Sequence, residues 1–372
     1  MPIHKFVSAF LIGAILEFAS CGVNDPSMKD DHNDSALSCE GNLPTRFTAD
    51  TSSKIRTVAT STSKEGMVWI EGGTFMMGAS DEEGRPDEYP QHAVKVDGFW
   101  MDATEVTNAQ FQRFVDATGY ITTAEKVPVW EEIKKQLPPG TSKPPDSLLI
   151  AASLVFIPAD HPVPLTDAAQ WWAWKKGADW KHPQGLRSSI VGKENYPVVQ
   201  VSWYDAMAYC QWAGKQLPTE AEWEFASRSG RSNLKYCWGD EDIEHGKPKA
   251  NTWQGNFPYK NSGWDRFTGL APVKSFAPNR VGLYDMAGNV WEWCADWYQE
   301  DYYRSLGKGP HANPIGPTTS YDPMEPTVPK RVVRGGSFLC NASYCKGYRV
   351  SARMKTSPDT GLEHTGFRCV AK

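Results

Sequence analysis

Gly335-Gly336-Ser337-Phe338-Leu339-Cys340-Asn341-Ala342-Ser343-Tyr344-Cys345 is the stretch on which the reading of this chain turns. It sets two cysteines five residues apart behind a glycine pair, where turns and short apolar runs replace any helical or strand period. Two chemistries are open to such a loop. Its sulfurs can close a short disulfide, or they can meet as thiolates at one soft metal ion. A site with two sulfur ligands suits Cu(I), whereas zinc wants four ligands.

Around this loop, 31 Gly and 27 Pro among 372 residues punctuate the chain too often for long helices or long strands, so a loop-rich fold is expected. The length is ample for a core, and no 20–50-residue repeat and no domain boundary after residue 66 is visible. With 16 Trp, 14 Tyr and 15 Phe, aromatic walls around a groove are expected as well as an aromatic core. The 39 basic residues are outnumbered by 44 acidic ones, and without a basic run a nucleic-acid partner is excluded. No histidine pair stands at i, i+4, and there is no phosphate-binding G-x-x-x-x-G-K-[ST], no G-x-S-x-G and no C-x-x-C. Hydrolase and kinase templates therefore do not fit.

Lys5 followed by the apolar run Phe6 to Leu16 reads as an export signal over residues 1–20, too short to span a bilayer. Small residues before Cys21 resemble a bacterial lipobox, so Cys21 is expected to be lipidated, and the membrane is expected as a partner only through that anchor. The implied location is the periplasm or cell surface of a bacterium. Residues 21–66 have linker composition, with an r.m.s. span on the order of 35–40 Å. Without Cys21 seven cysteines remain, an odd number, and Cys39 in the linker is the expected leftover. In the body, strands are expected at 67–70, 74–78 and 94–101. Helices are expected at 108–118, capped by Thr107, and at 202–214, with a Thr219/Glu222 capping box behind them.

From residue 67 to the C-terminus the chain resembles the formylglycine-generating enzymes of the sulfatase-modifying factor family. The resemblance is carried by residues 72–78, 99–108, 177–183, 217–224, 250–255 and 366–369 and by Gly282-Leu283-Tyr284-Asp285-Met286-Ala287-Gly288-Asn289-Val290-Trp291-Glu292-Trp293. Several of these also mark members without oxidase activity; the discriminating feature is the cysteine pair. The resemblance implies an α+β fold of low regular secondary structure, a C-type-lectin-like variant, forming one domain over 67–372.

It further implies a copper-dependent oxidase that uses O₂ to turn the cysteine of a C-x-P-x-R motif, in an unfolded or nascent sulfatase polypeptide, into Cα-formylglycine. Cys340 and Cys345 would hold Cu(I) at the floor of a surface groove, lined by Ser337, Trp291 and Tyr344, with Trp171 and Trp172 walling the peptide groove. Asn341 departs from the family at its position. Two structural Ca²⁺ ions are implied, one held by Asn251, Thr252, Asp265 and Phe267, the other by Asp285, Gly288, Val290 and Glu292. Cys210 and Cys369 match a family disulfide, while a second family disulfide has neither half, near Ser227 and at Val350. Cys237 and Cys294 are extra and are expected to bond to each other, since exported thiols seldom stay free. The competing reading is a non-catalytic exported lipoprotein of the same fold, acting as a scaffold or binding module; the cysteine pair argues against it.

Overall fold

The computed structural model describes residues 63–134, 140–307 and 309–372. The signal, Cys21, Cys39 and all of the linker except residues 63–66 lie outside these residues. Among the described residues no helix is long and apolar enough to cross a membrane.

Three helices form where the sequence supplies caps. Helix α1 (Asn108–Thr118) starts at Thr107, which accepts the Gln110 N–H while the Gln110 side chain accepts the Thr107 N–H at 2.7 Å, and it stops at Gly119 in left-handed backbone. Helix α2 (Trp203–Ala213) repeats the device with Ser202 and Asp205 and stops at Gly214. Helix α3 (Glu220–Ser227) carries the expected Thr219/Glu222 capping box. Phe111 and Phe114 of α1 pack on Tyr209 of α2, on Trp180 and on Phe367, joining both helices to the C-terminal segment.

Strands β1 (Met67–Ile70) and β2 (Gly73–Met77) lie as expected, but the single strand expected at 94–101 is two, β3 (His92–Val96) and β4 (Phe99–Asp102). The break falls at Asp97-Gly98, where a Cβ on Gly98 would lie 2.4 Å from the Trp69 ring and one on Gly72 would lie 2.6 Å from the Gly98 nitrogen. So close a crossing leaves no room for a continuous strand. The chain changes sheets there: β3 pairs with β2, while β4 pairs with β1 and with the C-terminal β14 (Val370–Ala371). A hairpin of β5 (Ala152–Phe156) and β6 (Trp172–Lys176) follows, then two short pieces, β7 (Gly255–Asn256) and β8 (Lys260–Asn261).

The central sheet is the element the sequence hid. It runs β12-β11-β9-β13, with β9 (Trp291–Trp297) antiparallel to β11 (Arg331–Arg334) and parallel to β13 (Thr365–Gly366), and β12 (Arg353–Thr356) on the outer side of β11. Strand β9 alternates, with Trp291, Trp293, Ala295 and Trp297 at one set of positions and Glu292, Cys294 and Asp296 at the other, yet both sets are largely buried. The short β10 (His311–Ala312) edges the β3–β2 pair.

All of α3 is buried, acids included, because each acid deep in it meets an arginine. Glu220 accepts from Arg334 at 2.8 Å and from Arg353 at 2.7 and 3.0 Å; Glu224 accepts from Arg334 at 2.5 Å and Arg228 at 2.9 Å. Arg334 ends β11 and Arg353 begins β12. One carboxylate, Glu220, therefore pins both stems of the loop that carries the cysteines.

Candidate active site

The loop between those stems, residues 335–352, leaves β11 through Gly335 and Gly336, both in left-handed backbone. A Cβ on Gly336 would lie 2.7 Å from the Gly347 carbonyl carbon, so the outgoing and returning strands of the loop cross at a point only glycine fits. Two successive turns follow. The Ser337 carbonyl accepts the Cys340 N–H at 2.9 Å, and the Asn341 carbonyl accepts the N–H groups of Tyr344 and Cys345 at 3.1 and 2.8 Å. Cys340 thus immediately precedes the turn that Cys345 closes.

The Ser337 N–H also points at the Cys340 sulfur, 3.4 Å away, a contact that favours the thiolate. Arg85, 260 positions earlier in the chain, interacts with Cys345 through its charge. Burial disfavours the Arg85 charge, but Asp87, Glu88 and Cys345 outweigh it and raise the guanidinium pKa. Burial pushes the Tyr348 phenol up, and Tyr236, Cys340 and Cys345 push it further. The glycine at 347 gives a tighter contact than Gly336: a Cβ there would meet the Trp291 ring at 2.3 Å and the Cys340 sulfur at 3.0 Å. Trp291 and Cys340 therefore close on the same spot, as the sequence reading expected of Trp291.

Burial corrects part of that reading. Cys340 has no exposure and Cys345 keeps 7%, so neither stands on an open groove floor. Trp171 and Trp172 are buried, not surface walls. Trp171 meets Tyr344 and Phe257 edge-on, Tyr344 stacks on Phe257 at 4.7 Å, and Trp172 packs on Phe156 and His364. They back the site from inside, because rings this large gain more by packing than by lining water. Asn341 is a staple: its amide donates to the carbonyls of Trp253 and Gly255 and its oxygen accepts from Ser343.

Both oxygen-rich loops touch the cysteine loop. The Trp253 N–H donates to the Cys340 carbonyl, and the Phe338 N–H donates to the Asn289 carbonyl, at 3.0 and 2.9 Å. The loops also touch each other, since a Cβ on Gly288 would lie 2.1 Å from the Asn251 carbonyl oxygen. In the first loop Asp265 accepts N–H groups from Thr252, Phe267 and Gln254, and the Asn251 amide donates to Gly269 and Asn289. In the second, both Glu292 oxygens take Arg368, at 2.6 and 2.7 Å, and Oε2 also takes the Trp223 indole. Asp285 faces Glu105, and burial before all else pushes both carboxyls up. Among the described residues no three His, Cys, Asp or Glu side chains gather as a metal cage, so any ion here would depend on carbonyl or substrate donors as well.

The sulfurs of Cys210 on α2 and Cys369 before β14, the pair for which the resemblance implies a disulfide, lie 3.3 Å apart. The Cys237–Cys294 pairing is not found. Each is a buried single thiol, Cys237 near Asp285 and Arg368, Cys294 near Asp296 and Glu220. Burial pushes the Cys237 thiol up to about 12 and Cys294 well above its usual range, which makes both inert and removes the need for a partner. Sequence reasoning missed Arg85, Glu105, Asn289 and Gly347. Glu105 and Asn289 stood inside family-marking stretches, whereas nothing in the sequence connects Arg85 to Cys345.

A family model described as "Sulfatase-modifying factor enzyme 1-like domain" matches residues 52–372. The formylglycine-generating enzyme of Thermomonospora curvata is 45% identical over 313 residues, covering 82% of this chain and 93% of that protein. That of Mus musculus is 42% identical over 364 residues, covering 96% and 88%. Among solved structures, PvdO from Pseudomonas aeruginosa superposes with a TM-score of 0.52 at 21% identity, covering 82% of this chain and 93% of that one, a likeness of fold.

Proposed function

The chain belongs to the sulfatase-modifying factor family, and from that membership we propose that it is a formylglycine-generating enzyme, oxidising a cysteine of a sulfatase polypeptide to Cα-formylglycine. The observation that carries this reading is the cysteine pair, held on one pinned loop against Trp291 in a chain 42–45% identical to enzymes of that name.

The cofactor we propose is Cu(I) held by Cys340 and Cys345, supported by a donor set of two soft sulfurs with a thiolate-favouring N–H on one and the Arg85 charge acting on the other. The chemistry such an ion supplies is capture of the substrate thiolate and electron transfer to O₂. The chain's own residues hold the geometry. Ser337 favours the charged form of Cys340, Arg85 offsets negative charge at Cys345, and Trp291 with Gly347 fixes the Cys340 side. Full burial of Cys340 keeps water from that sulfur, while Cys345 is the more exposed of the two. The substrate loses one hydrogen from Cβ and one from sulfur; water then replaces sulfur at the thioaldehyde, and hydrogen sulfide leaves.

The substrate we propose is an unfolded or nascent sulfatase bearing C-x-P-x-R, supported by the burial of both cysteines, which an extended segment reaches more readily than a folded surface. Two structural Ca²⁺ ions complete the reading, at the Asn251/Asp265 and Asp285/Glu292 loops, supported by their all-oxygen donors. The apolar run before Cys21 supports export with a lipid anchor there.

The test is to incubate the copper-loaded chain with a C-x-P-x-R peptide under O₂ and follow its mass. The expected result is the change that replacement of sulfur and two hydrogens by one oxygen requires, abolished by Cys340→Ser or Cys345→Ser in folded protein. Turnover by either variant at the wild-type rate refutes the assignment.

A further inference from the structure

A file of aromatic rings leads away from the cysteines toward the surface and takes no part in the chemistry above. Tyr348 follows Gly347, whose Cβ position lies 3.0 Å from the Cys340 sulfur, and the charges of both cysteines act on its phenol. The Tyr348 ring centroid lies 6.0 Å from that of Tyr236, and Tyr236 stacks on Trp238 at 4.9 Å with the planes 16° apart. Both are separations of packed rings. Tyr348 and Tyr236 are 4% and 3% exposed, whereas Trp238 is partly exposed and gives its indole N–H to the Glu241 carbonyl at the surface. Backbone bonds hold the file in place. The Val350 N–H donates to the Lys235 carbonyl at 3.0 Å, and Tyr236 and Gly239 exchange N–H donors at 2.9 and 3.1 Å across the turn that presents Trp238. Lys235 reaches over the Tyr236 ring and bonds its phenol, while Glu83 holds the Lys235 ammonium. Packing alone would be served by phenylalanine; what tyrosine and tryptophan add is the ready loss of one electron.

We propose that Tyr348, Tyr236 and Trp238 form an electron relay between the surface and the cysteine pair, which discharges peroxide-level oxygen left there when no substrate cysteine is in place. The inference rests on the oxidase reading above. Hydrogen peroxide is two electrons and two protons short of two waters, and the relay delivers the electrons singly. Tyr348 gives an electron and its phenolic proton to the oxygen, the first such transfer breaking the O–O bond, and an electron from Tyr236 with a proton from solvent restores it. Tyr236 passes its own proton through Lys235 to Glu83, because an oxidised phenol is a far stronger acid than a carboxylic acid, and recovers it when Trp238 supplies the next electron. The Trp238 radical cation takes an electron from a soluble thiol, whose proton goes to water. Two passages convert one peroxide and two thiols into two waters and one disulfide. Without the relay the same oxidant acts on the sulfurs of Cys340 and Cys345, where oxidation beyond the sulfenic level is irreversible.

The test adds hydrogen peroxide to the copper-loaded full chain, with no peptide and no thiol, and maps the products by mass spectrometry. With no thiol to restore it, Trp238 loses two electrons, takes one oxygen atom from water and releases two protons. That product is expected before any at Trp69 or Trp264, which at 44% and 39% exposure meet a diffusing oxidant first, and added thiol should suppress it. Tyr236→Phe keeps the ring and removes the phenol, so it should lose the Trp238 product and gain oxidised Cys340 and Cys345. Equal oxidation of Trp238 in that variant, or modification of Trp69 and Trp264 ahead of Trp238 in the wild type, overturns the relay. A wild type that fails in this way yet oxidises a C-x-P-x-R peptide keeps the oxidase reading; one that does neither loses both. If Tyr236→Phe does not fold, Trp238→Phe, a change at a partly exposed ring, takes its place. Faster peroxide oxidation of Cys340 and Cys345 than in the wild type is then expected, and an unchanged rate refutes the relay.

Discussion

Gly347→Ala tests whether the site is built by contact, because it adds one carbon and changes no reactive group. Gly347 is not among the residues in left-handed backbone, so alanine is conformationally admissible and any loss must come from collision. The new Cβ would stand 2.3 Å from Cη2 and 2.5 Å from Cζ2 of Trp291 and 3.0 Å from the Cys340 sulfur. Carbon atoms rest at about 3.5–4.0 Å, so the indole or the loop has to retreat by about 1–1.5 Å. Trp291 has no exposure, and its N–H is tied to the His364 carbonyl at 2.8 Å, so the strand cannot follow. Overpacking of this kind costs about 1–3 kcal/mol, partly offset by the ~0.4–1 kcal/mol that alanine gains by stiffening the unfolded chain. The chemical cost is larger, since a misplacement of about 1 Å at a reacting centre lowers rate about 10²-fold. Urea unfolding reads the first quantity and single-turnover oxidation of a C-x-P-x-R peptide the second. A folded variant with wild-type stability and wild-type turnover would show that Trp291 and Cys340 do not share this contact.

Three further outcomes follow from buried charge and from the cysteines. Glu220→Gln breaks the carboxylate that pins both stems of the cysteine loop and should cost ~3–5 kcal/mol in urea unfolding, because Arg334 and Arg353 are left short of charge; a loss under ~1 kcal/mol would deny that clamp. Burial first, then Glu220, raises the Asp296 carboxyl to about 8, above its unfolded value near 3.8, so the native chain keeps a proton that the unfolded chain has lost between those pH values. Its contribution to stability therefore falls as pH rises through that window. Asp296→Asn, which keeps an oxygen for the Glu220 N–H, should match the wild type near pH 4 and exceed it by roughly 2–4 kcal/mol at pH 8; a gap independent of pH would sink this account. Peptide mapping without reduction should recover Cys210 joined to Cys369, closing a loop of 159 positions worth roughly 4–5 kcal/mol on the chain-entropy model, with Cys237 and Cys294 as thiols that alkylate only on unfolding. A Cys237–Cys294 peptide would restore the pairing expected from sequence.

Local grammar and short motifs carried this protein far in sequence alone. Capping pairs such as Thr107/Gln110 and Thr219/Glu222 act over three residues, so helices α1 and α3 start where the sequence says. The spacing of Cys340 and Cys345 across one turn is equally local, and it left a short disulfide and a soft-metal site open until the family resemblance favoured the second. What the tertiary structure decided is long-range. Strand β9 alternates in sequence, but that its acidic positions are buried as well depends on distant partners, Trp223 and Arg368 meeting Glu292. The break at Gly98 needed Trp69, and the bonds of Arg349 in the cysteine loop to Glu88 join segments 261 positions apart. Burial was the last such property. Whether Trp171 lines a groove or backs it, and whether Cys237 needs a partner, depends on what packs over each side chain, and residue type does not carry that information.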